Sequence, residues 1–441
     1  MGVWRKLAKD TAVLTLSAIV MRCVGMAWQV WLAGRIGAAG LGLWQLVASV
    51  NVFAATVAIS GARFTATRLV SEELGAGRIR GAARAVRRCL VYGGLCGLFA
   101  FAALYWGAER IGFVWMRDAR CVRALRLLAC SLPMVPLSCV LNGSFVARGR
   151  ARLSALTQLA EQLASIAGIV FLLSRVGPND LEGACAAIAG GGVFANAVGL
   201  LLSVVLYLRL RRRDRGADAG VSPPLTKRML RLAAPLALSA YARTGLSTLE
   251  NLLTPRKLRA SGLSAERALA GYGTVTGMAL PVIGFPSCVL SAVAELSVPM
   301  LTAAQVRGDG AEIRRTVRRL LSYALGYALL CALFLFCLAE PLGWVVYRTA
   351  EVGPYLRLLA LLVPFFYCDI VIDGCLKGLG QMLWSMCFNV AESALGVVLI
   401  VTLLPRWGLR GYLTVLFVCE IFNVSLSFWR LRRVVRTVKS D

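Results

Sequence analysis

Nine ionisable side chains lie inside otherwise apolar runs of the sequence: Arg22, Glu161, Arg243, Glu250, Glu295, Asp369, Asp373, Glu392 and Glu420. A charge near the middle of a bilayer costs roughly 2.5–3.5 kcal/mol on insertion scales. Uncompensated, the nine would together cost ~20–30 kcal/mol, more than the ~5–15 kcal/mol net stability of a typical fold. They are therefore expected to line a wet cavity or to pair, and each marks a position where chemistry can be done.

The two cations, Arg22 and Arg243, each fall near the middle of the first apolar run of one half of the chain. A guanidinium presents planar, forked donors that match phosphate oxygens two at a time, which suits a diphosphate; an internal ion pair with Glu161 or Glu250 is the alternative. Glu161 sits with Gln158 and Gln162, and Glu392 with Asn389, at spacings that place these groups on one helical face. Holding the arginines, hydrogen-bonding sugar hydroxyls and binding a cation are the roles open to them, beside an interhelical clamp. Asp369 and Asp373 are one turn apart, so the pair repels when ionised and is relieved by a shared proton or cation, or by Lys377 one turn further on. With Glu250 and Glu295 they form the candidate ion-coupling set.

Other chemistry is excluded by composition. Histidine is absent, which removes Ser-His-Asp and Cys-His arrangements and histidine metal sites. The 14 cysteines form no C-x-x-C pair and lie mostly in apolar runs, where they read as small apolar filler. There is no G-x-x-x-x-G-K-[ST] phosphate loop. No catalytic residue, metal or cofactor is expected, and a membrane enzyme acting on lipid-linked sugars is disfavoured. The 49 Lys and Arg against 22 Asp and Glu give a net charge of +27. These basic residues sit between apolar runs, as topology signals and lipid contacts; nucleic acid is not an expected partner.

The elements that must position these residues are membrane helices. Of the chain, 58% is hydrophobic, against about 45–50% for soluble domains. Apolar runs at roughly 11–34, 41–62, 89–107, 122–147, 153–174, 183–207, 229–253, 269–300, 320–346, 355–376, 384–404 and 409–429 predict an all-α polytopic protein with about twelve transmembrane helices. The positive-inside rule puts both termini on the cytoplasmic side of the cell membrane. Sliding the chain by 231 residues aligns Gly77 with Gly308, Arg84 with Arg315, Gly143 with Gly374, Gly149 with Gly380 and Glu161 with Glu392; 11 of the 35 positions from 143 to 177 are identical. The expected plan is two parallel-repeat six-helix lobes around a central cavity: 1–207, a basic cytoplasmic linker at 208–228, and 229–441. In the eighth run Gly277, Pro281 and Pro286 predict a broken helix that serves as a hinge.

Several stretches resemble a known family: Arg22-Cys-Val-Gly25, Gly34 to Gln45, Thr67 to Glu73, Gln158 to Gln162, Leu253 to Leu258 and Gly271 to Pro281. They are similar to the stage V sporulation protein B family, a branch of the polysaccharide and oligosaccharidyl-lipid flippases related to multidrug and toxin extruders. The resemblance implies alternating access and transfer of an undecaprenyl-diphosphate-linked saccharide, such as a peptidoglycan or spore-cortex precursor, across the cytoplasmic membrane. It also implies that Arg22, in its R-x-x-G setting, binds substrate. A second arginine of the related lipid II flippase has no counterpart, since that face carries Trp28 and Gln29. Arg22, Arg243, Gln158, Glu161, Gln162, Asn389 and Glu392 are thus the candidate substrate contacts. The expected partners are the polyprenyl-diphosphate-linked saccharide, membrane lipids and envelope polysaccharide synthases, around a monomer. The alternative function is a cation-coupled multidrug or toxin exporter, which seven intramembrane acids against two arginines favour.

Overall fold

The computed structural model describes residues 2–177, 180–213 and 225–437, with side chains described from Met21 onward apart from those at 22, 151, 212, 213, 235, 296, 299, 303 and 306. The side chain of Arg22 and the centre of the expected linker, 214–224, lie outside the described residues. Among the described residues every regular element is helical. In order they are α1 (Gly2–Ile59), α2 (Ala62–Gly75), α3 (Ile79–Arg110), α4 (Cys121–Ser131), α5 (Met134–Ala147), α6 (Ala151–Leu173), α7 (Leu181–Arg213) and α8 (Leu225–Ala260). Then come α9 (Ala265–Gly273), α10 (Leu280–Gly284), α11 (Ser287–Val306), α12 (Gly310–Cys337), α13 (Ala339–Leu342), α14 (Gly353–Ala360), α15 (Val363–Gly378) and α16 (Met382–Thr437). Single π-helical stretches lie at Ile111–Met116, Thr274–Ala279 and Gly343–Tyr347.

Seven helical stretches among the described residues are long and apolar enough to cross a membrane, or up to nine when each bent pair is one span. The expectation of twelve is larger for reasons visible in the helices. α1 and α16 have 58 and 56 residues; at 1.5 Å per residue each is over ~80 Å long, against a hydrocarbon core of ~30 Å. Each contains one glycine with non-helical backbone, Gly37 (φ 70°, ψ 179°) and Gly408 (φ 55°, ψ −132°), where two helices meet. α8 contains the expected seventh run, but its arginines, glutamate and hydroxyls keep it out of the apolar set.

The 231-residue repeat is written into the backbone. The turn after α2 holds Gly77 at φ 71°, and the turn after α11 holds Gly308 at φ 74°. In each case the next amide closes a six-residue loop, Arg78 N to Glu73 O at 2.8 Å and Asp309 N to Ala304 O at 3.2 Å. Glycine reaches this left-handed conformation without the Cβ clash that other residues meet. Gly149 and Gly380, with φ 67° and 71°, repeat the device. Arg117 and Arg348, again 231 apart, hold φ 52° and 54° without that freedom, each at the end of a π-helical stretch. Such strained turns, at about 1–2 kcal/mol each, are a mark of common descent.

The chain divides into two compact units, one of Met1–Met21 with Leu46–Thr248 and one of Arg22–Gln45 with Leu249–Asp441. α1 and α8 contribute to both, so the compact units cut across the sequence copies. In the first unit α2, α3, α5, α7 and the start of α8 bury Leu69, Val86, Leu141, Phe145 and Met229. In the second, α11, α14 and α15 bury Leu301, Leu356, Val371, Leu376 and Tyr367.

Candidate functional site

In the first unit α6 lies along α7, and the small residues Gly192, Ala195 and Gly199 leave room beside it. Gln158, Glu161, Gln162 and Ser165 of α6 face Gly192 and Asn196 of α7 across a cavity of about 350 Å³, which Met21 of α1 also lines. The Glu161 carboxylate leans on Gly199, where a Cβ would stand 3.0 Å from Oε2. Gln158 Nε2 donates to Ser154 Oγ at 3.2 Å, and Asn196 Nδ2 to the Gly192 carbonyl at 3.0 Å. Behind this wall Thr157 Oγ1 donates to Asn142 Oδ1 at 2.7 Å. Amide groups and one carboxylate thus converge on an open space, the donor and acceptor mixture that neutral hydroxyls require.

The second unit gathers carboxylates from three helices. Asn423 Nδ2 donates to Asp369 Oδ2 at 3.2 Å, joining α16 to α15. Glu392 lies within electrostatic reach of Glu250 and Asp369, and Glu420 within reach of Glu392 and Asp369. Gly396 makes room for the Glu250 carboxylate, since a Cβ there would overlap Oε1. Asp369 Oδ1, Glu420 Oε1 and Asn423 Oδ1 are buried and accept no hydrogen bond among the described residues. Carboxylates within electrostatic reach of one another repel when ionised, and protonation relieves that repulsion.

Asp373 has a different role. Lys377 Nζ donates to its Oδ2 at 2.5 Å, and Ser385 Oγ donates to Oδ1. Asn389 Nδ2 donates to the Ser385 carbonyl at 2.9 Å, bracing the same corner. Asp373 is therefore matched locally, and the Asp373–Lys377 pair also lies within electrostatic reach of Asp369. Glu295 is exposed on α11 and forms no ion pair among the described residues. Arg243 is exposed on α8, on the side away from Tyr241, Gly245 and Thr248, which meet α1. It forms no ion pair with Glu161 or Glu250 among the described residues. Asn251 of α8 accepts a 3.0 Å hydrogen bond from the buried Tyr272 hydroxyl.

The expected break in the eighth run is present. Ala265–Gly284 and Ser287–Thr302 meet at 58° around Pro286. Pro281 has no N–H to give the Gly277 carbonyl four residues back, and Gln29 Nε2 donates there instead at 2.9 Å. Three tyrosine hydroxyls donate to neighbouring carbonyls: Tyr347 to Met278 at 3.1 Å, Tyr367 to Ile283 at 2.7 Å and Tyr327 to Pro286 at 3.0 Å. Asn423 and these tyrosines had no distinguishing mark in the sequence, and Gln29 stood out only as a residue in place of a second arginine. Glu420 did stand out as an intramembrane acid, and its i, i+3 spacing to Asn423 is the signal that links them.

Comparison with known proteins agrees with this architecture. Residues 7–305 match the model of the family described as polysaccharide biosynthesis protein, and residues 258–402 match the MatE family model. The chain is similar to stage V sporulation protein B of Bacillus subtilis (strain 168), 21% identical over 419 residues that cover 91% of this chain and 79% of the relative. It is also similar to the membrane protein YabM of the same organism, 21% identical over 406 residues, covering 90% and 75%. Among solved structures, an inward-facing multidrug resistance MATE family transporter of the MOP superfamily superposes with a TM-score of 0.73 at 16% identity, over 97% of this chain and 99% of the other. A MOP superfamily transporter from Pyrococcus furiosus gives a TM-score of 0.63 at 15% identity, over 98% and 96%. With two thirds of its length inside one family model and its helical fold shared over nearly the whole chain with these solved structures, this multi-pass membrane protein belongs to the polysaccharide biosynthesis protein family.

Proposed function

We propose that the protein is a flippase that carries a polyprenyl-diphosphate-linked saccharide, such as an envelope polysaccharide precursor, across the cytoplasmic membrane, with both termini on the cytoplasmic side. The observation that carries this reading is the first-unit cavity, where Gln158, Glu161, Gln162 and Asn196 offer amide and carboxylate groups with room beside them. Sugar hydroxyls both donate and accept, and such a wall serves them without a fixed net charge. Arg22 is the group we assign to the diphosphate, for the forked donors of its guanidinium. Arg243 is the second cation available for it. The sequence copies 1–207 and 229–441 are the inherited lobes in this scheme, envelope polysaccharide synthases are its suppliers, and the transporter works as a monomer without a cofactor or covalent step.

The carboxylates of the second unit supply the driving reaction: Glu250, Asp369, Glu392 and Glu420 take up a proton or Na⁺. The same cluster supports a second reading, a cation-coupled exporter of cationic drugs, since a surplus of acids also attracts organic cations.

Reconstituted vesicles separate the two. Arg22→Ala is expected to abolish movement of a fluorescent undecaprenyl-diphosphate saccharide while the protein still inserts and remains monodisperse. Normal movement by that variant overturns the flippase reading. Gradient-driven efflux of a cationic dye, with no movement of the lipid-linked sugar by the unaltered protein, establishes the exporter instead.

A further inference from the structure

Cysteine reads as apolar filler when it is scattered through a core, but two of the 14 come together in the first unit. Cys121 is the first residue of α4 and Cys185 the fifth of α7, and these two helices pack against each other. Their side chains are 0% and 1% exposed, and the two thiols lie within electrostatic reach of each other. Both also lie within reach of Asp118 and Arg120, whose 2.7 Å ion pair stands just ahead of α4. Cys121–Ala147 and Leu181–Arg211 each begin a candidate span, with the span Arg152–Leu173 between them. The starts of α4 and α7 are therefore at the same end of the helix bundle.

A disulfide asks for more than neighbouring helices, because its Cα atoms must come within about 7 Å. The residues around the two cysteines permit such an approach. Gly183, Ala184, Ala186, Ala187 and Ala189 on α7 and Ala124 on α4 are small, and small residues let helix backbones come close. The other sequence copy separates bonding from filling. At the 231-residue shift Cys121 and Cys185 correspond to Val352 and Leu416, so both positions are thiols in one copy and both are hydrocarbon in the other. Val352 is fully buried in its own unit. Hydrocarbon alone fills such a corner; what a pair of thiols adds is a bond.

We infer that Cys121 and Cys185 form a disulfide that fastens the start of α7 to the start of α4. Two S–H bonds break and one S–S bond forms, while the two electrons and two protons pass to a disulfide-bearing oxidant that leaves as a dithiol. With the termini cytoplasmic, as proposed above, both cysteines are at the outer face, where such bonds persist; the pairing itself does not rest on that reading. Burial shields the finished bond from reductants, the character of a structural disulfide rather than a labile one. α7 also carries Gly192 and Asn196 of the polar cavity, so the bond anchors the helix that forms one of its walls.

The test uses the purified full-length protein in detergent, oxidised with diamide, a diazene that takes up the two electrons and two protons and becomes a hydrazine. The protein is then denatured, alkylated with N-ethylmaleimide and digested for mass spectrometry. A peptide pair joining Cys121 to Cys185 is expected, with every other cysteine alkylated. C121V/C185L, which copies the second sequence half, should give no joined peptides. Reductant should lower the heat-unfolding midpoint of the linked protein and leave that of C121V/C185L unchanged. Alkylation of all 14 cysteines after oxidation, joining of either residue chiefly to another cysteine, or an equal response of both proteins to reductant overturns the inference. The peptide map of the unaltered protein decides the matter even where C121V/C185L does not fold, and neither a different cargo nor the reverse orientation alters it.

Discussion

The first unit surrounds one carboxylate with amides, and the second sets four carboxylates each within electrostatic reach of another. Glu161 and Glu392 occupy the same position in the two sequence copies, yet their neighbours differ. Glu161 has Gln158, Gln162 and Asn196 beside an open cavity. Glu392 has Glu250, Asp369 and Glu420. A lone carboxylate among amides accepts bonds from neutral hydroxyls, whereas a group of them must be charge-compensated. Surroundings set the chemistry open to an inherited residue: amides beside Glu161 suit neutral polar groups, whereas acids near Glu392 favour uptake of a positive charge.

The sharpest test of that contrast neutralises each side in turn. The triple variant E250Q/D369N/E420Q should lose the response of transport to Na⁺ and pH gradients, a coupling of roughly 5–150-fold. Glu161→Gln should keep the response and weaken saccharide binding about tenfold, the loss of a charge-assisted hydrogen bond. Vesicle transport under imposed gradients reads both, and loss of gradient response in Glu161→Gln alone would break the division of labour.

A second test asks whether the skeleton beneath the divergence is still shared. A Cβ on Gly143 would lie 2.7 Å from the Arg63 carbonyl, and one on Gly374 2.9 Å from Ala294 backbone; both pairs are related by the same 231-residue shift. Gly143→Val and Gly374→Val should each destabilise by about 1–3 kcal/mol, seen as matching losses in thermal stability. A large loss in one copy only would show that the helix crossings have diverged as well.

The smallest effect concerns a local replacement. Asp373 and Lys377 stand where the first copy has Asn142 and Val146. Their pair is partly exposed, at 26% and 44%, so Lys377→Val should cost less than about 1 kcal/mol. D373N/K377V, which copies the first unit, should recover most of that. No recovery would mean that Asp373 is tied to the Asp369 cluster rather than balanced by its own lysine.

Much of this was legible in the sequence because charges within apolar runs are conspicuous. Glu161, Asp369 and Glu392 were found that way, and the glycines at 77, 149, 308 and 380 by their common shift. Asn423 was not, since an amide in an apolar helix is unremarkable until a partner from another helix reaches it. The break at Pro281 and Pro286 was visible; the groups that complete it were not, because Gln29 is about 250 residues away and tyrosines in apolar helices look like packing. The division into compact units was hidden for a similar reason. Residues 22–45 pack with the second unit, and a repeat records descent, not packing partners.

The side-chain donors around the eighth span alter what that span can do. In hydrocarbon a bare carbonyl has no water to turn to, so straightening the kink would strip four acceptors of Gln29, Tyr327, Tyr347 and Tyr367 at once. Proline gave this segment its bend, and its neighbours brace the bent form. A transport cycle that rocks the helices would meet less resistance at joints without such donors.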